Sequence, residues 1–224
     1  MDKLNIVEAV NEALRDEMEA DEKAIAYRED VGEDGGVFRA TEGLQEDFGE
    51  KRCFSSPLAE SGIAGTAIGM SLYGFRPVVE MQFSGFSYLS FYQIKEHASR
   101  MRIRSRGDYE VPLTVRAPYG GGISALEHHQ ESPEAFFSHA QGLHVVIPST
   151  PQDTYSLLRK SIQLDDPVVS SLAVANGTVF VVDRDDDEFR LSAIDAETGE
   201  FQWGDGITDT EFSTSTVVDG LILI

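Results

Sequence analysis

Cysteine is almost absent from this chain, since Cys53 is the only one among 224 residues. A lone thiol forms neither an internal disulfide nor a metal cage built from cysteines. Hydrophobic residues make up 41% of the sequence, which is enough for a packed core. We therefore predict a fold held together by apolar burial, with Cys53 as a small buried strand residue.

Long apolar runs are also missing, and none reaches the length that a membrane-spanning helix needs. The first residues, Met1 to Asn5, lack the basic segment followed by an apolar stretch that marks a secretory signal. We therefore expect a cytoplasmic protein that makes no contact with a membrane.

Basic residues are scarce. The sequence has 18 Lys and Arg against 39 Asp and Glu, which gives a formal net charge of -21. Such a charge repels phosphate backbones and argues against nucleic-acid binding. Lys is scarcer than Arg, and an acidic surface poor in Lys suggests adaptation to high salt, where screening weakens self-repulsion. An ordinary acidic cytoplasmic protein is the alternative.

Helix and strand patterns alternate up to residue 169. Apolar residues from Leu4 to Met18 recur at helical spacing and predict the first helix. A long helix is expected from about Tyr88 to Ile103, and another, capped at Thr150, is expected to end near Leu164. Strands are predicted at 24–27, 52–54, 77–81, 113–116 and 144–147, with one more beginning within 166–169. This alternation predicts an α/β domain over residues 1–169, with a doubly wound, mostly parallel sheet.

From residue 170 onward, short β runs and turns replace the helical pattern. The segment from Val174 is echoed by the one from Val217, 43 residues later. Both are typical of a strand, an Asn-Gly or Asp-Gly turn and a second strand. This separation lies in the range of one propeller blade, although a single blade cannot bury its own faces. Residues 170–224 are therefore predicted to be a small antiparallel β tail, an incomplete propeller-like repeat, with Gly204-Asp205-Gly206 as a turn.

A polar turn at Ser56 leads into an apolar segment that is rich in small residues and extends to Met70. Glu60 is a lone carboxylate at the entrance of this predicted helix. The helix N-terminus favours the ionised carboxylate, whereas burial favours the protonated one. A carboxylate under both influences can act as a proton carrier. The alternative is an ordinary acidic residue in a first helical turn.

Further motifs follow one another in a specific order. They are Glu29–Gly32, Gly36–Leu44, Pro57–Gly62, Gln82–Phe86, Arg116–Gly122, Glu127–Ala135 and Val146–Pro151. With these motifs, residues 4–169 closely resemble the pyrimidine-binding domain of the β subunit of 2-oxo acid dehydrogenase E1 components. Those are the thiamine-diphosphate enzymes of the pyruvate and branched-chain complexes. The resemblance therefore implies oxidative decarboxylation of a 2-oxo acid.

The resemblance also implies roles for four residues. Glu60 would hydrogen-bond a ring nitrogen of the cofactor's aminopyrimidine and exchange a proton there, which Gln could not do. Phe86 would pack on the pyrimidine ring, and Leu58 would line the pocket. For both of these, packing in the core is the alternative. His129 would face the substrate, while the neighbouring His128 is expected to point elsewhere.

A metal site at His128, His129 and Glu131 is a weak alternative, because adjacent histidines do not present both rings to one ion in regular structure. We therefore predict no metal site in this chain. The resemblance implies instead that a partner, the E1 α subunit, holds most of the Mg²⁺ and diphosphate contacts. It further implies an α2β2 assembly with a dihydrolipoyl acyltransferase core.

The sequence departs from the resembled family after Val169. Family β subunits continue there into a second domain, whereas residues 170–224 resemble one repeat of quinoprotein-like β-propeller proteins. Two hypotheses follow. The chain is an E1β-like enzyme subunit that works with an α partner, or it is an inactive truncated or fused remnant that acts as an interaction module through its tail.

Overall fold

The computed structural model describes residues 4–119, 127–129 and 131–173. It also describes the strand backbones at 178–185, 188–195, 201–207, 216–218 and 221–223. The glycines Gly120–Gly122 of the Arg116–Gly122 motif and the Asn-Gly and Asp-Gly turns predicted for the tail lie outside these residues.

Six parallel strands form the centre of the fold. They are β1 (Ala24–Arg28), β2 (Cys53–Ser55), β3 (Arg76–Glu80), β4 (Thr114–Tyr119), β5 (His144–Val146) and β6 (Val168–Ala173). Their order in the sheet is β2-β1-β3-β4-β6-β5, and every pairing is parallel. All residues of β1 are buried, as expected for a parallel strand covered on both faces. Cys53 is a buried residue of β2, as predicted.

The helices are α1 (Ile6–Ala20), α2 (Leu44–Phe48), α3 (Glu60–Leu72), α4 (Met101–Arg104), α5 (Glu134–Ser138) and α6 (Pro151–Gln163). Local sequence explains where the long ones begin. The side chains of Asn5 and Glu8 each accept the other's backbone N–H and so cap α1. Thr150 caps α6, with Pro151 in its first turn. None of the helices within the described ranges is both long and apolar enough to cross a lipid bilayer.

Helices cover both faces of the sheet. Ile25 and Tyr27 of β1 belong to one apolar cluster, which includes residues of α3 and α5. The alternate residues Ala24 and Ala26 belong to a second cluster, which includes residues of α1, α2 and α6. Because successive strand residues point to opposite faces, the two clusters lie on opposite sides of the sheet. The predicted doubly wound α/β architecture is confirmed.

The prediction of one long helix from Tyr88 to Ile103 is wrong. The chain instead forms a 3-10 helix at Ser84–Leu89, a π-helical turn at Gln93–Ala98 and the short α4. The hydroxyls of Ser87 and Ser90 donate to carbonyls three residues earlier. Such local bonds compete with α-helical pairing, and apolar periodicity does not reveal them.

Beyond the parallel sheet, the described backbone is antiparallel. A three-stranded sheet contains β7 (Thr178–Asp185), β8 (Glu188–Asp195) and β9 (Phe201–Ile207), and β10 (Thr216–Val218) pairs with β11 (Leu221–Leu223). An antiparallel tail is therefore confirmed, but Gly204-Asp205-Gly206 lies inside β9, so its prediction as a turn is wrong. Strand β6 runs to Ala173, past the predicted domain boundary at residue 169, and that boundary stays a prediction.

Candidate active site at the carboxyl edge of the sheet

The candidate site lies where neighbouring strands of the parallel sheet end. After β1 the chain continues to β2 on one side, and after β3 it continues to β4 on the other, so the connections diverge between β1 and β3. Ligands of open parallel sheets bind in the crevice at such a divergence, outside the carboxyl ends of the strands. The segments after β1, β2 and β3 carry Glu29, Glu60 and Phe86.

Glu60 is the first residue of α3 and is only 6% exposed. Two hydrogen bonds hold the start of this helix against β1. The Ser56 N–H donates to the Arg28 carbonyl at 3.0 Å, and the Tyr27 hydroxyl donates to the Ile63 carbonyl at 2.7 Å. Within the described part of the chain, nothing hydrogen-bonds the Glu60 carboxylate, which interacts electrostatically with Arg28 and Glu29. Glu60 is thus a buried carboxylate available to a ligand.

Phe86 and His129 lie together in an aromatic group. The His129 ring is edge-on to Phe83 at 4.4 Å and to Phe86 at 5.4 Å between centroids. The Ser84 hydroxyl donates to the Glu131 carbonyl at 2.6 Å, which fixes the 3-10 helix against the segment after His129. Helix α3 packs against this same 3-10 helix. The structure therefore brings two of the four predicted residues into contact, on an element that adjoins the helix of Glu60.

The structure excludes one alternative for Leu58 and places His128 closer to Phe86 than expected. Leu58 is 66% exposed in the loop before Glu60, so the alternative of core packing is wrong for it. His128 does not point elsewhere, because its ring lies 6.1 Å from that of Phe86. The backbone has positive φ angles at Glu127 and His128, 51° and 46°. Adjacent side chains diverge in regular structure, but in this turn both imidazoles approach Phe86.

The sequence patterns did not indicate a group of buried charges beside this crevice. Arg28 is completely buried and donates to Glu29, while Arg116 and Glu80 form a buried ion pair. Glu80 and Arg116 are separated by 36 residues and meet only because the parallel register of β3 and β4 places them side by side. Their one sequence signal is that each interrupts an apolar strand.

Burial changes the proton affinity of these groups. It raises the pKa of Glu29, and the Arg28 guanidinium opposes this shift while Asp30 and Glu60 add to it. Burial also lowers the pKa of Arg116 to about 10, helped by the positive charge of Arg28. The Arg116 guanidinium therefore stays charged at neutral pH, and the crevice adjoins charges of both signs that are held away from water.

Across the described ranges, no group of three or more His, Cys, Asp or Glu side chains is close enough to hold a metal ion. A small cavity, with room for about one water molecule, is lined in part by Thr41, Glu80 and Arg116. Glu60, Phe86 and His129 do not line it. It is therefore an internal space beside the buried ion pair, distinct from the candidate ligand site.

Comparison with known proteins identifies relatives of this domain. Residues 2–177 match the family described as "Transketolase, pyrimidine binding domain". The 3-methyl-2-oxobutanoate dehydrogenase subunit beta of Mycobacterium tuberculosis is 53% identical over 166 residues, which cover 74% of this chain and 48% of that protein. The pyruvate dehydrogenase E1 component subunit beta of Leifsonia xyli is 51% identical, covering 74% and 49%, and that of Bacillus subtilis is 49% identical, covering 75% and 52%. The chain spans about half the length of these curated relatives.

A solved structure described as "Split gene transketolase, inactive beta4 tetramer" has a similar fold. It matches with a TM-score of 0.60 and 18% identity, over 80% of this chain and 59% of that one. The family match spans most of the chain and includes the whole parallel sheet and the candidate site. The chain therefore belongs to the transketolase pyrimidine-binding domain family.

Proposed function

We propose that this chain supplies the pyrimidine-binding half of a thiamine-diphosphate site, as an E1β-type subunit of a 2-oxo acid dehydrogenase. The reaction would be oxidative decarboxylation of pyruvate or of a branched-chain 2-oxo acid. The observation that carries this proposal is Glu60, a carboxylate 6% exposed at the start of α3, in the crevice between diverging strands. The E1 and dehydrogenase β subunits that are 51% and 53% identical to it support the same conclusion.

The residues present fit an aminopyrimidine ring. Its nitrogen atoms need a group that can both accept and donate a proton, and the Glu60 carboxylate has no competing hydrogen bond in the described part of the chain. Half-buried Phe86 offers a flat apolar surface for the ring. Offset stacking of aromatic rings contributes about 0.5–1.5 kcal/mol beyond burial. The exposed Leu58 side chain would line the pocket on the side of the β2–α3 loop.

Bound thiamine diphosphate would supply the electron sink that decarboxylation of a 2-oxo acid needs. Glu60 would hold and exchange a proton at the pyrimidine nitrogen. His129 would face the substrate, where an imidazole can transfer a proton near neutral pH or stabilise a developing oxyanion. Its Nδ1 lies 2.6 Å from the Glu127 carbonyl, a contact that orients the ring.

A partner chain would complete the site. We infer that an E1 α subunit holds the diphosphate and Mg²⁺, within an α2β2 assembly that engages a dihydrolipoyl acyltransferase core in the cytoplasm. Two observations support a partner. The relatives are each named as β subunits, and the crevice is flanked by an apolar side chain, Leu58, that is exposed in this chain.

Reconstitution with an E1 α subunit tests this function. Decarboxylation of pyruvate or of 3-methyl-2-oxobutanoate should require both chains, thiamine diphosphate and Mg²⁺ together. The controls are each chain alone and the mixture without cofactor. Co-purification of the two chains without cofactor-dependent decarboxylation of either substrate would reject the enzyme role and favour the interaction-module alternative.

A further inference from the structure

Arg28 is the largest fully buried side chain in the described residues, and it ends β1 beside the candidate site. Its Nη2 donates to Glu29, whereas Nε and Nη1 are buried and have no hydrogen-bond partner in the described ranges. Buried donors without partners destabilise the folded state. Packing alone therefore does not account for a guanidinium at this position.

The charges around Arg28 separate into two groups. Arg116 and Glu80 form an ion pair with each other, so the repulsion between Arg116 and Arg28 is offset by Glu80. Arg28 is left with Glu29 through a hydrogen bond, and with Glu60 and the exposed Asp30 through electrostatic attraction. Since Asp30 and Glu60 also repel Glu29, one buried cation compensates three acids, of which Asp30 alone is exposed.

The backbone of Arg28 acts on the same segment. Its carbonyl accepts the Ser56 N–H at 3.0 Å, and Ser56 opens the loop that leads to Glu60 at the start of α3. The end of β1 that carries the guanidinium is thus hydrogen-bonded to the loop that leads to Glu60. The Arg28 backbone therefore anchors the loop before Glu60, and the Arg28 guanidinium attracts the Glu60 carboxylate.

We propose that Arg28 is a positioning residue of the candidate thiamine site, whose guanidinium binds the Glu29 carboxylate and attracts that of Glu60 beside the start of α3. This role rests on the proposed function, because it matters only if Glu60 carries the proton. Without the guanidinium, two acids would face each other in a site of low dielectric, where their repulsion is strong. Glu60 would then leave the position from which it reaches a ligand.

A double-mutant cycle on the full chain tests the coupling without cofactor or partner. Urea unfolding is measured for the wild type, R28M, E60Q and R28M/E60Q. We expect R28M to reduce the folding equilibrium constant about tenfold more in the wild-type background than in the E60Q background, a coupling of about 1.4 kcal/mol. If R28M does not fold, R28Q completes the cycle, because Gln also removes the charge.

Two controls separate this role from a general effect on packing. R28M should combine additively with E19Q, since Glu19 is an exposed acid on α1. R28K, which keeps the positive charge, should retain the coupling to Glu60. Additive behaviour of R28M with E60Q would overturn the proposal, as would a coupling to Glu19 of the same size.

Kinetics of the enzyme reconstituted with an α subunit give the functional readout. R28M should lower kcat at least tenfold with little change in the KM for the 2-oxo acid, and R28K should restore most of it. An inactive wild-type mixture would reject the proposed function, and the unfolding cycle would still decide whether Arg28 holds Glu60. Coupling in the cycle together with an unchanged kcat for R28M would overturn the positioning role alone.

Discussion

Proton exchange at Glu60 is the residue-scale feature on which the proposed function depends. Glu60→Gln keeps the shape and hydrogen-bonding capacity of the side chain but cannot exchange the proton. We expect the variant to fold and to bind the α subunit normally, with turnover lowered at least roughly a hundredfold, the scale of a lost general acid–base group. Steady-state kinetics of the reconstituted enzyme measures this, with E19Q as the matched control. Near-normal turnover would remove Glu60 from the mechanism.

Glu134 allows a prediction of pH-dependent stability. Its Oε2 is buried with no hydrogen-bond partner among the described residues, and burial raises the pKa of its carboxyl, opposed in part by a hydrogen bond from its own backbone N–H. The folded chain therefore binds this proton more tightly than the unfolded chain, so stability falls as the pH rises above the ordinary carboxyl pKa of about 4.3. We expect Glu134→Gln to be more stable than the wild type by about 1 kcal/mol at neutral pH.

The pH dependence of this effect separates it from a change in packing. Because the wild-type carboxyl is protonated in both states below about pH 4, the advantage of Glu134→Gln should disappear there. Urea unfolding at acidic and neutral pH measures both values. An advantage of equal size at both pH values, or a less stable variant at neutral pH, would contradict the assignment of a carboxyl whose proton affinity is raised by burial.

The sequence predicted the position and burial of some residues but not of others. Cys53 and the helix-start position of Glu60 were predictable because each follows from local pattern. The burial of Arg28 was not, since a charged residue at a strand end is ordinarily expected to reach solvent. The roles of Glu60, Phe86, Leu58 and His129 in binding and catalysis stay predictions.

At the scale of elements, the 3-10 helix at Ser84–Leu89 positions the turn that carries His129. A Cβ added at Gly85 would overlap the His128 carbonyl and lie 2.8 Å from the Glu131 side chain. Gly85→Ala is therefore expected to displace His129 from Phe86, and a displacement of about 1 Å can cost roughly a hundredfold in turnover. Kinetics and urea unfolding of the reconstituted and free chains measure the effect.

Gly69 is the matched control for that substitution. It lies inside α3 with nothing within 4 Å of an added Cβ. Gly69→Ala should leave turnover unchanged and raise the free energy of unfolding by about 0.5–1 kcal/mol through helix propensity. Equal effects of the two substitutions would show that the Gly85 contact with His128 does not position the site.

Strand β6 gives a test of the domain boundary. It lies between β4 and β5, and its residues 170–173 pair with residues 116–119 of β4. A fragment of residues 1–169 loses these pairings, whereas a fragment of residues 1–173 keeps them. We expect the longer fragment to unfold cooperatively at the higher urea concentration. Equal midpoints would support the predicted boundary at residue 169.

The elements themselves were predictable where local pattern decides them. Buried parallel strands appear as short apolar runs, and the caps at Asn5 and Thr150 mark helix starts. The 3-10 helix at Ser84–Leu89 was not predictable from periodicity, because serine hydroxyls and a bond to the segment near Glu131 favour it over an α-helix. The ion pair of Glu80 and Arg116 likewise depends on strand register rather than on spacing in the sequence.

For the molecule as a whole, the net charge and the tail sequence predicted less about structure than the alternation of helices and strands in residues 1–169 did. Adaptation of the surface to high salt, residence in the cytoplasm and a propeller-like origin of the tail stay predictions. A net charge of -21 describes the sum of all side chains and not their arrangement. The tail strands pair as antiparallel sheets, a pattern that many β architectures share.

Thiamine-diphosphate binding tests most directly the claim that this chain is one half of a composite site. Titration calorimetry in the presence of Mg²⁺ is run on this chain alone, on an E1 α subunit alone and on their equimolar mixture. The proposed half-site predicts weak binding to either chain alone and tight binding to the mixture, lost again when Mg²⁺ is withheld. Tight, Mg²⁺-dependent binding to this chain by itself would contradict it.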